Sequence, residues 1–148
     1  MAYQIIKGWP SDAAIDPVIT LDTADTVAAG TGGAINASGA GIVGNYATDG
    51  SDATLLPFFC LDVDTVTDKV TGLMSNCMIK VDDDHYESGS YTAGAAVTLS
   101  GGKFDLIAST EDARPTVGKV FSYDGSATEL VILWGPTFTS SVTITSET

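Results

Sequence analysis

Residues 117–134 read Val-Gly-Lys-Val-Phe-Ser-Tyr-Asp-Gly-Ser-Ala-Thr-Glu-Leu-Val-Ile-Leu-Trp. Two apolar runs, 117–123 and 129–134, flank Asp124-Gly125-Ser126, residue types that favour a tight turn, so the stretch predicts a β-hairpin. Its second half, Leu130-Val131-Ile132-Leu133-Trp134, is apolar at every position. A strand of that kind is expected to be buried on both faces and central to its sheet.

The same pattern runs backward from this hairpin. Residues 91–99 and 104–108 flank Ser100-Gly101-Gly102-Lys103, a glycine turn, with Val97 and Leu99 on one face. Further back, Leu55-Leu56-Pro57-Phe58-Phe59-Cys60-Leu61 is apolar on both faces. A polar region over 62–69 follows, and Met78-Ile79-Lys80-Val81 returns, which predicts a hairpin with a long loop. Pro17-Val18-Ile19-Thr20-Leu21 reads as a first strand, with proline at a position that suits a strand start or edge. No window of helical length shows apolar residues at i, i+3, i+4 and i+7 with a cap and a stop, and 11–15 makes at most a short turn. The expected fold is therefore all-β, a small β-barrel or β-sandwich.

At 148 residues the chain has the size of one domain. The reading divides it into an N-terminal arm (1–16), a glycine-rich loop (28–51), a β core (52–135) and a Thr/Ser-rich tail (136–148). The loop assignment rests on seven glycines between Gly30 and Gly50 and few side chains large enough to anchor a core. Phe138, Val142 and Ile144 alternate in the tail, as in an edge strand or a partner-seeking terminus.

Nineteen acidic and six basic side chains give a formal net charge of −13. That repels a phosphate backbone and argues against nucleic-acid partners. No apolar stretch approaches the roughly 18 residues of a membrane span, so no membrane partner is expected. The first ten residues lack the basic start and apolar core of a secretory signal. Folding in a reducing compartment is expected, with Cys60 and Cys77 as free buried thiols; facing each other across antiparallel strands in a disulfide is the alternative.

Gly39-Ala40-Gly41-Ile42-Val43-Gly44 matches the dinucleotide fingerprint, and Asp64 lies about 20 residues beyond it. No strand precedes the glycines and no helix can open after them, so the match predicts no cofactor site. Asp82-Asp83-Asp84-His85 with Glu87 gathers four carboxylates and the sole histidine. The spacing fits neither an EF-hand loop nor a zinc site, and a solvated acidic turn is expected, with no metal. A serine triad would have to recruit that one histidine, and no G-x-S-x-G elbow is present; the chain reads as a non-enzyme. Trp9, Tyr46, Tyr86, Tyr91, Tyr123 and Trp134 are candidates for stacking on sugars, although Trp134 lies in the most apolar strand and is expected in the core. Asn36-Ala37-Ser38 is a nominal glycosylation sequon, without weight in a chain that is not secreted.

Four segments together have a recognisable cadence: Gly89-Ser90-Tyr91-Thr92-Ala93-Gly94-Ala95-Ala96-Val97-Thr98-Leu99, Gly101-Gly102-Lys103-Phe104, Arg114-Pro115-Thr116-Val117-Gly118-Lys119-Val120 and Leu130-Val131-Ile132-Leu133. Over residues 55–134 the chain resembles the head-decoration (cement) proteins of tailed bacteriophages. The resemblance implies a protein made in the host cytoplasm that assembles, commonly as a homo-trimer, on the capsid exterior. There it would bind the major capsid protein and reinforce contacts between capsid subunits, with no cofactor. By the same analogy the N-terminal arm would add a strand to the shell, which singles out Tyr3, Ile5, Ile6 and Trp9 as partner-contact residues. A tail or fibre module, or a carbohydrate-binding or adhesin-like module, are the alternatives.

Overall fold

The computed structural model describes residues 3–7, 18–74, 76–107 and 109–135, without the side chains of 5–7. Eleven strands are described: β1 (Tyr3–Lys7), β2 (Val18–Asp22), β3 (Gly32–Ile35), β4 (Gly41–Val43), β5 (Leu56–Asp64), β6 (Lys69–Leu73), β7 (Cys77–Val81), β8 (Ala96–Ser100), β9 (Lys103–Leu106), β10 (Gly118–Asp124) and β11 (Glu129–Trp134). A six-stranded sheet runs β1-β7-β11-β10-β8-β9 and a five-stranded sheet β2-β6-β5-β3-β4, with antiparallel neighbours throughout. The fold is all-β, and because the two sheets do not close on each other it is a sandwich rather than a barrel.

The two sheets repeat one plan. Taken in order, β2-β6-β5-β3-β4 matches β7-β11-β10-β8-β9, with β1 added at the edge of the larger sheet. For three of the strands, β2, β5 and β6, the match is residue by residue, n onto n + 60. Val18 pairs with Leu73 as Met78 does with Leu133, and Leu21 with Val70 as Val81 does with Leu130. Cys60 pairs with Gly72 as Val120 does with Ile132, and both long hairpins carry the same register shift, between Cys60 and Asp62 and between Val120 and Ser122. Their turns agree too. Asp64 Oδ1 accepts from the Val66 and Thr67 amides, Asp124 Oδ1 from those of Ser126 and Ala127. Each turn then leaves through a left-handed residue, Asp68 at φ 55° and Thr128 at φ 53°. An aspartate that satisfies two turn amides makes this geometry tolerable without glycine.

The layers stack in the same sense rather than face to face. In the larger sheet Ile79, Val81, Val120, Leu130, Ile132 and Trp134 point into the main core. Their counterparts Ile19, Leu21, Cys60, Val70 and Met74 do not meet them; they belong to a second, smaller cluster with Phe58 and Val27 on the far side of the five-stranded sheet. That sheet offers the main core its other face, through Phe59, Leu73 and Ala34. The front of one layer thus rests on the back of the next. Phe59 sits at the centre, its ring 5.9 Å from Trp134 and 6.2 Å from Phe104, in the geometry that aromatic pairs favour.

This packing explains where the sequence reading departs from the structure. Residues 28–51 are not one long loop: β3 and β4 lie within them and join the five-stranded sheet. Their glycines are spacers. A Cβ on Gly33 would lie 2.2 Å from the Phe58 ring, and one on Gly32 would lie 2.3 Å from Leu99 of the other sheet. The apolar strand at 56–64 does not pair with β7; it pairs with β3 and with β6, a strand inside and just beyond the region read as a polar loop. β11 is central, between β7 and β10, but only its front is buried. Leu133, on its back, is 44% exposed. The turn at 11–15 and the tail at 136–148 lie outside the described residues.

Leu73 and Leu133 hold the same register position, one 0% and the other 44% exposed. Leu73→Ala is expected to cost about 2–5 kcal/mol in urea unfolding and Leu133→Ala about 0.5 kcal/mol or less. Equal costs would refute the front-to-back stacking.

Candidate functional site

The residues expected to contact a partner are used differently from one another. β1 lies antiparallel to β7 within the chain's own sheet, with Ile5 opposite Ile79 and Ile6 at a register shift. Tyr3 links the two sheets. Its ring meets Phe59 edge-on at 5.2 Å, and its hydroxyl donates to the Leu61 carbonyl at 2.6 Å. Leu61 is the extra residue of the β5 bulge, so the bulge supplies the acceptor. Burial, with the Cys60 thiol and Asp62 nearby, raises the Tyr3 pKa. Trp9 lies outside the described residues.

The acidic run forms a turn after β7. The Asp84 amide donates to Asp82 Oδ1 and the His85 amide to the Asp82 carbonyl. The chain then continues beside β9, where Phe104 N–H donates to the His85 carbonyl and Glu87 N–H to the Phe104 carbonyl. Among the described residues no three His, Cys, Asp or Glu side chains are placed to hold a metal. The fingerprint glycines belong to the β3–β4 hairpin, whose turn is tied by Asn36 Oδ1 accepting from the Ser38 and Ala40 amides. Asp64 caps its own hairpin at the end of β5.

Among the described residues the aromatic candidates do not form a sugar platform. Trp134, Tyr46, Tyr86 and Tyr91 are buried. Tyr86 meets Tyr91 at 77° and Tyr123 at 88°, so these rings interlock instead of presenting one plane. Burial pushes the Tyr86 hydroxyl up to about 12, helped by its hydrogen bond to Tyr123. Cys60 and Cys77 are free thiols in different clusters, so they do not face each other. Burial raises them to about 11 and about 12.

The back of the six-stranded sheet has two halves. Over β8 and β9 the chain covers it itself: Arg114 donates to Asp105 and Asp112 at 2.6–2.8 Å and to the Leu106 carbonyl at 3.2 Å. Thr98, opposite Asp105 in the register, is fully buried. Over β7, β11 and β10 no second layer covers the back among the described residues. One row runs Met78, Leu133, Lys119, Ala96 and the next Lys80, Val131, Ser122. Phe121, the bulge residue of β10, stands beside them at 52% exposure. The charged residues in these two rows are Lys119 and Lys80, and the row beyond them carries Asp124 and Glu129, so both signs of charge stand on this face. At the β1 edge the surface continues into an open groove of about 300 Å3 lined by Gln4, Lys80, Thr128 and Glu129 among others, where Lys80 and Glu129 lie 3.8 Å apart.

Contiguous exposed apolar side chains mark an interaction surface, whereas scattered ones are ordinary. Sequence reading missed this one because an all-apolar strand signals double burial, and its alternation with the buried front becomes visible only with the register. No protein-family model matches the chain, and no curated protein is similar to it.

Two outcomes check this geometry. The thiols are expected to react with a disulfide reagent at pH 8 far more slowly than free cysteine, and at the ordinary rate once the protein is unfolded in urea. The hydrogen bonds from Arg114 hold the Asp112 carboxyl below its ordinary 3.8. That interaction stabilises the fold above this value and is lost as pH falls through the lower folded value. Asp112→Asn is expected to cost about 1.5–3 kcal/mol at pH 6 and to flatten the loss of stability seen in the wild type below about pH 4 when urea midpoints are compared.

Proposed function

We propose that the protein is a structural virion component that docks on the outer surface of a phage capsid, as an oligomer, and stabilises the head by bridging capsid subunits. The observation that carries the reading is the open back of the six-stranded sheet. There Phe121 and Leu133 are exposed beside Lys119 on a chain of net charge −13. Such a face is chemically equipped to be covered, and it contains no nucleophile paired with a base. The strand-and-turn cadence that resembles decoration proteins falls on β8 to β11, the strands that build and flank this face. The buried, interlocking tyrosines weigh against a glycan-stacking module.

Mechanistically, each docked copy adds apolar burial across the junction between neighbouring capsid subunits. The surplus per copy over the cost of ordering is modest. Repeated over a closed shell, it raises the strain the shell withstands.

Purified protein sedimented with empty heads built from the cognate major capsid protein is expected to saturate at a copy number set by the capsid symmetry. Decorated heads are expected to release their contents at a higher temperature than bare ones. Protein that stays in the supernatant at every concentration would overturn the reading.

A further inference from the structure

The repeated plan shows how this fold covers the back of a sheet. In the first unit β6 ends at Leu73, the chain steps through residues 74–76, and β7 opens the layer that covers that back. Ile79 and Val81 of β7 share the main core with Phe59 and Leu73. β11 is the counterpart of β6. It ends at Trp134, and the back beside it carries Val131, Leu133 and Phe121, the last two 44% and 52% exposed. The chain that follows, residues 136–148, lies outside the described residues. Its point of departure is on the page: Gly135 N–H donates to the Val117 carbonyl at 2.9 Å, next to the segment whose Arg114 already helps to cover the β8–β9 half of the same back.

The sequence of 136–148 suits that face. Phe138, Val142 and Ile144 fall on one side of an extended chain, and Thr139, Thr143 and Thr145 on the other. No charged side chain precedes Glu147 in this segment. A face that carries Lys80 and Lys119 together with Asp124 and Glu129 offers no single sign of charge to a charged partner. An uncharged segment instead covers the apolar centre, while the lysine stems let their heads reach water. Reach is sufficient: fully extended, 136–148 spans about 45 Å, against about 20 Å for a strand the length of β11. We propose that residues 136–148 fold back over β11 and cover the exposed back of the six-stranded sheet of their own chain. Phe138 then lies over Leu133, and Val142 and Ile144 lie over Val131 and Phe121. These apolar positions are one residue out of step with Ile79 and Val81 under n + 60, and Gly135-Pro136 is where the step changes. The contact goes beyond the capsid reading, because a head that docks on this face must first displace the tail.

The test is the accessibility of one introduced thiol, Lys119→Cys, which leaves Phe121 and Leu133 in place. Val66→Cys, at a position 90% exposed on the turn between β5 and β6, is the reference. Each full-length variant is treated with a neutral alkylating reagent and read by mass spectrometry on the introduced cysteine's own peptide, apart from Cys60 and Cys77. Each rate is divided by that of the same thiol in urea, and circular dichroism verifies that each variant is folded. The Lys119→Cys thiol is expected to react roughly tenfold or more slowly than the reference at every protein concentration. Adding Phe138→Asp, Val142→Asp and Ile144→Asp is expected to restore the reference rate; if that combination fails to fold, Val142→Asp alone carries the comparison. Equal rates at positions 119 and 66 overturn the proposal, as does slow reaction that the tail substitutions leave unchanged. Protection that fades on dilution assigns the cover to a second copy and overturns it too. Sedimentation with heads is scored separately. A protected thiol in a protein that ignores heads upholds the tail contact and removes only the capsid role, and an accessible thiol in a protein that binds heads does the reverse.

Discussion

The structure depends on how closely β3 can approach its neighbours. Gly32 leaves room for Leu99 of the other sheet and Gly33 for the ring of Phe58, each where a Cβ would intrude to within 2.3 Å or less. With that space granted, the back of the smaller sheet settles onto the front of the larger one. Phe59 then reaches Phe104 and Trp134, and Leu73 loses all exposure. Burying a side chain of this size is worth about 1.5–3 kcal/mol, so a few such contacts compare with the whole net stability of a small domain. The tyrosine strap of β1 and the bulge that feeds it an acceptor are secondary to this contact, since Tyr3 packs on the same Phe59 ring.

Much of the strand content was legible. The hairpin through Asp124 and the one through Gly101-Gly102 stand where turn chemistry puts them, because short turns encode their geometry locally. The glycine-rich stretch was misread for the opposite reason. Glycine at 32 and 33 answers to a distant leucine and phenylalanine, and no local signal separates a glycine that frees the chain from one that makes room. The repeated plan is hidden because few residues coincide: among β2, β7 and the two long hairpins the identical pairs are Ile19/Ile79, Asp22/Asp82, Asp64/Asp124 and Leu73/Leu133. What persists is register, bulge and turn, properties of the backbone ladder that many sequences satisfy.

The candidate site was less legible than the fold. Tyr3 is expected as a partner contact because the resemblance implies an N-terminal arm that adds a strand to the shell, whereas in the structure β1 joins the chain's own sheet and the Tyr3 ring packs on Phe59. Phe121 and Leu133 were passed over because their neighbours in sequence are core residues. A two-residue period sends alternate side chains to opposite faces, but only the order of the sheets decides which face is covered. A second layer covers the back of the first unit, and nothing among the described residues covers Phe121 and Leu133 on the back of the second.

The position of β11 has a mechanical consequence. It is hydrogen-bonded along its length to β10 on one side and β7 on the other. A pull along this strand therefore loads two ladders in shear at once, and many bonds must fail together. A pull across an edge strand such as β2 peels one ladder open a bond at a time. A load borne through β11 is shared by two ladders, while the outermost strands remain a compliant margin.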